Sequence, residues 1–499
     1  MPNQNLKLKI FFLTILFLAI FGVSAKASAA TYYVKNGGND SLSGLDDANA
    51  WETIDKVEAT VTSGDTVYFR SQDVWTSATT PVLVATAGVI YDGSIYGSGT
   101  RATFKATGNL AYVIFIGQSN VTVRSFNVDM NSQITDGITI YGADKSNIII
   151  DDCQVHDNIC PEGNYVYGVR VSAQPSTAVS DVLISNTNVY NTGHEAFVVY
   201  SGGSGIESNI ILRNCSGHDS GQDGSTWGSG LAIKNDARNV IVEFSSFYNS
   251  ASNGISIIGE NGSPTGLDIK YNIIYNNGDH GITVYDVDSA GVAVTGGINN
   301  NLIYSNGSNE IYLGGDLTGT VLNFYNNTLF ADVYSAINLR WAIGTPIINF
   351  KNNIACSDNY QAVYDYLGLL THSNNLIFRS SSDIADHVVT NINYNRSDVL
   401  TWEPTAQTTD PNFTGGTLPT GFNGTYGTNM LPNTNYFATT SGPTINTGAT
   451  LGSPYNLSIN SAGLSSPFLR PVGAYDIGAY EYQGTDTTPP TVPSGLAVE

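Results

Sequence analysis

The chain has 499 residues and a formal net charge of −22, from 42 acidic and 20 cationic side chains. A protein this acidic is repelled by nucleic acid and by anionic membrane surfaces. We therefore expect no nucleic-acid partner. Its four cysteines are too few for a disulfide framework and lack CxxC spacing, which excludes a cysteine zinc site. One Cys153–Cys160 bridge is conceivable, but buried free thiols are the favoured interpretation.

The first thirty residues resemble a secretion signal. Lys7 and Lys9 precede an apolar run from Ile10 to Val23, and small residues end the segment at Ala29. The run is too short for an ordinary membrane span. We therefore predict a cleaved signal peptide over 1–30, a secreted, extracellular or cell-surface protein, and no membrane insertion.

A repeat of about 27 residues follows. Segments such as NIIIDDCQVHDN (147–158) and NVIVEFSSFYNS (239–250) share one pattern, and each is followed by a second short strand such as SGLAIKN (229–235). Period-two alternation with β-branched residues and Asn, Gly or Ser breaks predicts strands, and no segment shows a convincing helical period. The repeat predicts an all-β solenoid in which each strand pairs with its copies about 4.8 Å above and below.

This pattern resembles the pectate-lyase-like right-handed parallel β-helix superfamily over roughly 31–482, with single strands stacked coil upon coil. The opening YYVKNGGNDSLSG and the closing RPVGAYDIGAYEY are also similar to the ends of bacterial members. Five parts are predicted: the signal peptide 1–30, an N-terminal cap with the first coils 31–119, regular coils 120–371, C-terminal coils with a cap 372–484, and 485–499. The last part reads as a Pro/Thr linker and the truncated start of a module resembling fibronectin type III.

Two columns of stacked residues are predicted to be structural. An inward position between two strands recurs from coil to coil, and asparagines stacked there can satisfy one another's hydrogen bonds. Its occupants are Asn272, Asn301, Asn327 and Asn353, preceded in earlier coils by Cys153, Thr187, Cys215 and Ser245. The pairs His156-Asp157 and His218-Asp219 belong to a second, mostly aromatic column, so we assign them no chemistry.

The strand that carries Lys234 has two outward-facing columns in which tyrosines dominate, as expected of a surface on which sugar rings lie. One column is Thr139, Arg170, Val198, Ala232, Ser256, Thr283, Tyr312, Asn338 and Tyr364. The other is Tyr141, Ser172, Tyr200, Lys234, Ile258, Tyr285, Gly314, Arg340 and Tyr366. Three cations in these columns of a cation-poor chain mark a candidate groove, although an exposed lysine without function is the alternative interpretation of Lys234.

Further polar residues are predicted at the edge of this groove. Glu195 and His280 stand just before their strands, and an insertion at 219–229 carries Asp223 and Trp227. The candidate catalytic residues are Lys234, Tyr200, Arg170 and His280. The candidate substrate-binding residues are Tyr285, Glu195, Asp223, Trp227 and Arg340.

A polysaccharide lyase acting on a uronate-containing glycan is the favoured function. β-Elimination needs a base, a cation for the enolate-like charge and a proton donor for the leaving oxygen. Lys234 is the base if burial and Arg170 lower its pKa; alternatively Tyr200 or His280 is the base and Lys234 stabilises the charge. No cofactor is certain. Calcium is the candidate that the resemblance implies, with Glu195 and Asp223 as oxygen ligands, although their spacing forms no calcium motif.

Two other functions stay open. A glycoside hydrolase needs two carboxyl groups, for which Glu195, Asp223, Asp279 and Glu260 are available, but neither outward column contains an acid. A non-catalytic glycan-binding or surface scaffold protein is the third. In every case we expect a polysaccharide as substrate or ligand, and a monomer.

Overall fold

The computed structural model describes residues 29–161, 164–200, 202–221, 228–286, 293–380, 386–390, 392–413, 442–460, 463–470 and 475–481. The predicted signal peptide falls almost entirely outside these residues, and the predicted linker with its fibronectin-like start lies wholly outside them. Ala30 is already part of the fold, because its backbone N–H donates to Oδ1 of Asp65 over 2.8 Å.

The described chain winds into a parallel β-solenoid of about 11 turns, with roughly 27 residues per turn. Within the described residues the first sheet contains Thr31–Val34, Thr66–Arg70, Ile90–Tyr96, Val121–Arg124, Lys145–Asp151, Ala178–Ser185, Ile206–Arg213, Arg238–Glu243, Leu267–Lys270, Thr295–Asn299, Val321–Tyr325, Ile347–Lys351 and Leu370–Ser373. The second sheet contains Val74–Ser77, Ala102–Ala106, Phe126–Gln133, Gln154–Asn158, Asn188–Thr192, Ser216–Ser220, Ser246–Tyr248, Ile273–Tyr275, Leu302–Tyr304, Thr328–Ala331, Ile354–Ser357 and Leu376–Arg379. The third sheet contains Leu83–Val84, Tyr112–Ile116, Asp136–Gly142, Val169–Ala173, Phe197–Val199, Leu231–Lys234, Ile255–Gly259, Ile282–Asp286, Ile311–Asp316, Ile337–Ile343, Val363–Tyr364, Asp386–Val389 and Asn393–Asn395.

The predicted all-β fold, with one strand of each sheet per regular coil, is confirmed. Period-two alternation places Leu231 and Ile233 in the core, each with no exposed surface, while Lys234 points outward. Between the first and second sheets the chain turns through one residue of positive φ, such as Asn300, Asn326 or Asn352, each at 55–56°. Asparagine tolerates this left-handed conformation better than most residues, which explains its abundance at the turns.

The predicted asparagine column is confirmed. Nδ2 of Asn272 donates to Oδ1 of Asn301 over 3.0 Å, and the same amide-to-amide bond repeats through Asn327 and Asn353. The column runs further than predicted, because Asn353 donates to Asn375 and Asn375 donates to Glu403. Each buried amide thereby satisfies its neighbour, which makes a polar column tolerable in an apolar core.

The earlier coils use smaller groups at the same position, as predicted. Oγ1 of Thr187 accepts from the backbone of Cys153, and Oγ of Ser245 accepts from the backbone of Cys215. All four cysteines, each in the described part of the chain, are buried thiols that form no disulfide. The favoured interpretation of the cysteines is therefore correct, and no Cys153–Cys160 bridge forms.

A second polar column, which the sequence analysis missed, supports the turn after the second sheet. Oδ1 of Asn277 accepts from the backbone of Ser250, and Nδ2 of Asn277 donates to Oδ1 of Asn306 over 2.9 Å. The column ends at Glu310, which is fully buried and contacts Nδ2 of Asn306. Burial raises the pKa of Glu310 well above its ordinary value, which favours the neutral carboxyl group.

The aromatic column is also structural. The ring of His218 lies 5.3 Å from that of Tyr190 and 4.5 Å from that of Tyr248, nearly parallel to both. Nδ1 of His218 lies 2.6 Å from Oδ2 of Asp219, and Nε2 lies 3.1 Å from Oδ1 of Asn188. Both ring nitrogens are thus used within the fold.

His156 sits in the same stack and forms, with Asp129 and Asp157, a group of closely spaced ligand-type atoms. The chain's own residues already use this group. Nζ of Lys105 lies 2.6 Å from Oδ2 of Asp129, and Nε2 of His156 lies 2.9 Å from Oδ1 of Asn127. We therefore interpret it as part of the surface ion pairs and stacks of the second sheet.

The ends of the solenoid depart from the repeat. Three short helical segments occur in the described residues, Asp47–Asn49, Ile54–Thr60 and Val399–Trp402. The sequence analysis missed them because none is long enough to show a helical period. The side chain of Thr53 caps Ile54–Thr60, whose Ile54 and Val57 are buried against the first coils.

The C-terminal segment packs back onto the coils. Its two strands, Leu457–Asn460 and Gly463–Leu469, form an antiparallel hairpin. Arg470 lies at the centre of this packing, with Nη1 2.6 Å from Oε2 of Glu481 and Nη2 3.3 Å from Oδ1 of Asn300. The guanidinium group is buried, and its contact with Asn300 joins the closing segment to the coils.

Candidate functional site

Lys234 and Glu195 form an ion pair on the outer face of the third sheet. Lys234 ends the strand Leu231–Lys234, and Glu195 precedes the neighbouring strand Phe197–Val199. Nζ of Lys234 lies 2.9 Å from Oε1 of Glu195, with side chains 14% and 2% exposed. Lys234 is therefore not an ordinary solvated lysine, because most of its length is buried against the sheet.

Tyr200 lies on the other side of the amine. Nζ of Lys234 is 5.6 Å from the centre of the Tyr200 ring, within the range of a cation–π contact. Burial lowers the pKa of Lys234 below its ordinary value of 10.5, while negative charge at Tyr200, Glu260 and Tyr165 acts in the opposite direction. The carboxylate of Glu195 also favours the charged amine, so we assign Lys234 as an ammonium group in the free protein.

His194 completes the cluster. Its Nδ1 contacts Oε2 of Glu195, and both ring nitrogens are buried without a hydrogen-bond partner among the described residues. Burial, helped by the charge of Lys234, lowers the pKa of His194 to about 4, so the imidazole is neutral near pH 7. The rings of Tyr165 and Tyr167 meet the imidazole edge-on at 5.4 and 5.6 Å.

Arg170 lies where its column was predicted, opposite Val198, which is in turn opposite Ala232. Its Nη1 is 3.9 Å from Oδ2 of Asp136, and its guanidinium carbon lies 5.6 Å from the centre of the Tyr167 ring. Tyr167 also packs on Val198 and Ala232. Arg170 is therefore a neighbour of the Lys234 cluster and not in contact with the amine.

The carboxyl group of Asp136 is used structurally. Its two oxygens accept hydrogen bonds from the backbone of Tyr167 over 2.9 Å and from the hydroxyl of Thr139 over 3.1 Å. Burial raises the pKa of Asp136 to about 6. Since both oxygens are engaged within the sheet, Asp136 is poorly placed to act on a ligand.

His280 lies apart from the Lys234 cluster. It lies three strands from Glu195, about 14 Å along the sheet. The path across the strands follows the backbone hydrogen bonds from Ala196 to Ser229, from Gly230 to Asn253 and from Gly254 to His280. Its Nδ1 accepts from the backbone of Asn309 over 3.1 Å, and its ring stacks on Tyr312 at 4.5 Å. Burial lowers the pKa of His280.

Tyr285 lies two strands beyond Lys234, as the pairs Lys234–Ile258 and Ile258–Tyr285 show, and its side chain is exposed. One part of the predicted column is wrong. A bulge after Tyr312 shifts the register, so that Trp341 lies opposite Gly314 where Arg340 was expected. Arg340 is nevertheless exposed on the same face.

The two predicted residues of the 219–229 insertion, Asp223 and Trp227, lie outside the described residues. The calcium prediction stays a prediction, because Asp223, one of its two expected ligands, lies outside the described residues. At Glu195, Oε1 lies 2.9 Å from Nζ of Lys234, whereas Oε2 is buried beside Nδ1 of His194 and has no hydrogen-bond partner among the described residues. We assign no step to the ion.

Sequence reasoning did not select three residues that the structure brings to this face. His194 precedes Glu195, and Tyr167 precedes the strand of Arg170, so both stand at the strand entry where other groove-edge residues were found. Trp341 follows Arg340 and required knowledge of the bulge. The signal that could have identified His194 is its position next to Glu195, at the entry of the strand that neighbours the strand of Lys234.

Comparison with protein families adds one match. A family model described as a right-handed β-helix region matches residues 162–329. The chain folds as a parallel β-helix, and the matched part is a right-handed β-helix region. Comparison with curated proteins gives no match.

Several solved structures align with this β-helix protein. A Dettilon tailspike protein aligns with a TM-score of 0.50 and 13% identity, covering 74% of this chain and 70% of the tailspike. The pectate lyase Pel9A aligns with a TM-score of 0.45 and 14% identity, covering 92% of this chain and 98% of the lyase. The A-module of the Azotobacter vinelandii mannuronan C-5 epimerase AlgE4 aligns with a TM-score of 0.45 and 14% identity, covering 72% and 91%.

At these identities the similarity is one of fold, and the β-helix fold supports several activities. The function must therefore be argued from the residues of the site. Within the described part of the β-helix protein, no helix combines the length and apolarity that a membrane crossing needs.

Proposed function

We propose that this β-helix protein binds an acidic polysaccharide along the outer face of the third sheet and cleaves it by β-elimination at Lys234. The observation that carries the proposal is the largely buried ammonium group of Lys234, held 2.9 Å from Glu195 and beside Tyr200. The chain has a net charge of −22, so most of its surface repels an acidic glycan. A cation kept in this position attracts the glycan's carboxylate group locally.

The chemistry divides between two side chains. The phenolic oxygen of Tyr200 takes the proton from the carbon α to the uronate carboxylate. The electron pair left on that carbon forms the new double bond as the bond to the 4-linked sugar oxygen breaks, and the Tyr200 phenol returns the proton to that oxygen. Lys234 stabilises the negative charge that develops on the carboxylate in the transition state.

The geometry favours this division over the alternatives from the sequence. Lys234 is paired with a carboxylate, which favours the ammonium form and therefore a role as charge stabiliser over that of base. His280 precedes the strand Ile282–Asp286, which lies two strands or about 10 Å along the sheet from the strand of Lys234, and its ring is held by Asn309 and Tyr312. Tyr200 is the proton-transferring candidate that lies beside the amine.

Hydrolysis is less well supported by the described residues. Two carboxyl groups must face a glycosidic bond, but Glu195 is buried and paired with Lys234, and Asp136 is held by the sheet. Glu260, whose charge acts on Lys234, is the remaining carboxylate near the amine.

The test is a screen of alginate, polygalacturonate and their carboxyl-reduced forms with the secreted protein. Absorbance of unsaturated ends and release of reducing ends are followed separately. Elimination predicts that both rise in equal amounts on an unreduced polyuronate, and that the reduced polymers stay intact. Reducing ends without unsaturation would establish hydrolysis, and binding without either product would establish a glycan-binding module.

A further inference from the structure

A second surface on the third sheet combines an exposed cation with exposed aromatic rings. We call Arg340, Trp341 and Tyr364 the Arg340 patch. The side chain of Trp341 is 61% exposed, and that of Tyr285 on the same face is 41% exposed. Exposed large aromatic side chains concentrated on one face of a protein usually mark a binding surface.

The patch exists because of the bulge. In the strand Ile337–Ile343, Ile337 and Leu339 point inward and Ala342 points inward again, which leaves Arg340 and Trp341 as two consecutive exposed residues. A regular strand would expose only one of the two. The backbone is held in place by Asn338, whose Oδ1 accepts from the backbone of Arg340 over 2.9 Å. Bulges that re-aim side chains in this way are frequent next to functional sites.

The charge of Arg340 is available to a ligand. Its guanidinium carbon lies 4.8 Å from the centre of the Trp341 ring and 5.7 Å from that of Tyr364. Among the described residues Arg340 forms no ion pair, in contrast with Arg213, which is bound to Glu243, and Arg470, which is bound to Glu481. A guanidinium group between two rings, without an acid, is oriented to receive a carboxylate from outside.

We propose that the Arg340 patch is a binding subsite for an anionic sugar, in which Arg340 pairs with the carboxylate and Trp341 stacks on the face of the ring. The subsite lies four strands from Lys234, about 19 Å along the same sheet, with Tyr285 between them. The proposal rests on the acidic-glycan groove of the proposed function but not on the elimination chemistry. It adds that the glycan must be long enough to reach both places, and that the protein grips it away from the bond that breaks.

Binding of uronate oligosaccharides tests this directly. Isothermal titration of wild type, Arg340→Gln and Trp341→Ala uses short and long oligosaccharides of alginate and polygalacturonate, and carboxyl-reduced long ones. Arg238→Gln is the matched control, because Arg238 is an exposed arginine on the first sheet. Circular dichroism confirms that each variant is folded.

We expect Arg340→Gln to weaken binding of the long uronate oligosaccharide about tenfold, as loss of one charged hydrogen bond predicts. The short oligosaccharide, held at Lys234, and the reduced glycan should be unaffected by this change. Trp341→Ala should weaken the long uronate and the reduced glycan alike, since ring stacking needs no charge. Arg238→Gln should bind as wild type does.

Two results would overturn the subsite. One is that Arg340→Gln and Arg238→Gln bind a long uronate, which wild type also binds, with equal affinity. That result would leave the proposed function intact. The other is a loss of affinity for the reduced glycan in Arg340→Gln that equals the loss for the uronate. The subsite would then bind a neutral sugar and not an anionic one. Failure of wild type to bind any uronate would contradict the subsite and the proposed function together.

Discussion

Nζ of Lys234 donates to Oε1 of Glu195 over 2.9 Å, although the two residues are 39 positions apart in the chain. The contact exists because the third sheet places Ala232 opposite Val198, one strand above the other. Two charges are thereby held together in a nearly buried position, where each is costly without the other.

Breaking this pair should destabilise the protein. Glu195→Ala leaves the Lys234 ammonium buried without its partner, and we expect a loss of about 3 kcal/mol in the free energy of unfolding. Urea unfolding measures it. The double variant Lys234→Met/Glu195→Ala should lose less than the sum of the single variants. Arg213→Met, which removes a half-exposed arginine from its pair with Glu243, is the control and should cost about 1 kcal/mol at most. A Glu195→Ala loss no larger than that of the control would show that the pair is not buried.

His194 should make stability depend on pH. Burial lowers the pKa of His194 to about 4 in the folded protein, against 6.5 for a free histidine, so between these values the unfolded chain binds more protons. Stability contributed by the neutral imidazole is full above pH 6.5 and is lost as the pH falls towards 4, by about 3 kcal/mol in total.

The contribution of Asp136 to stability changes with pH in the opposite direction, over nearly the same pH range. Its pKa is raised to about 6 from 3.8, so its contribution is full below pH 3.8 and is lost as the pH rises towards 6. The informative quantity is therefore the difference in unfolding free energy between wild type and His194→Gln. We expect wild type to lose about 3 kcal/mol relative to the variant between pH 7 and pH 4. A difference that does not change with pH would contradict the assignment of a neutral, buried His194.

The asparagine column should be a main source of rigidity. Asn327 accepts from Asn301 and donates to the backbone of Ile298 and to Asn353, all within the core. Asn327→Ala leaves several buried groups unpaired, and we expect about 3 kcal/mol of destabilisation in thermal and urea unfolding. Asn349, whose amide donates to Asn323 near the surface, is the matched control, and Asn349→Ala should cost about 1 kcal/mol or less. Equal costs would mean that the buried column adds nothing specific.

Tyr200 should affect turnover more than substrate binding. Tyr200→Phe removes the hydroxyl and keeps the ring beside Lys234, so we expect kcat to fall about 100-fold with little change in KM. Initial rates of unsaturated-end formation give both constants. Tyr68→Phe, on the first sheet, is the control and should match wild type. An increase in KM with unchanged kcat would make Tyr200 a binding residue.

Most of the fold could be predicted from the sequence, because the repeat presents the same position of the coil many times. Asn272 and Asn301 could be assigned to one column from their spacing, and the structure joins them by a hydrogen bond. His218 could be assigned to a stack because its column held tyrosines, and the ring of Tyr248 lies 4.5 Å away.

The site was less accessible to sequence reasoning, for two physical reasons. Register arguments count residues, so a single extra residue in the strand of Arg340 moved Trp341 into the predicted place without a visible signal. Assigning residues to stacked columns also predicts their positions along the sheet, but it does not predict the direction in which long side chains point. Such assignments placed Glu195 and His280 at the same edge, yet only Glu195 reaches Lys234 within the described residues.

The central claim is most directly tested by the rate of unsaturated-end formation on a polyuronate with Lys234→Met and Lys270→Met. Lys270 is an ion-paired lysine on the first sheet, away from the proposed groove. We expect Lys234→Met to lower kcat/KM at least about 100-fold, as loss of one transition-state charge contact does, with Lys270→Met unchanged. Lys234→Arg, which keeps the charge opposite Glu195, serves where the methionine variant does not fold, and should retain a measurable fraction of the rate. A folded Lys234→Met protein that forms unsaturated ends at the wild-type rate would contradict the account.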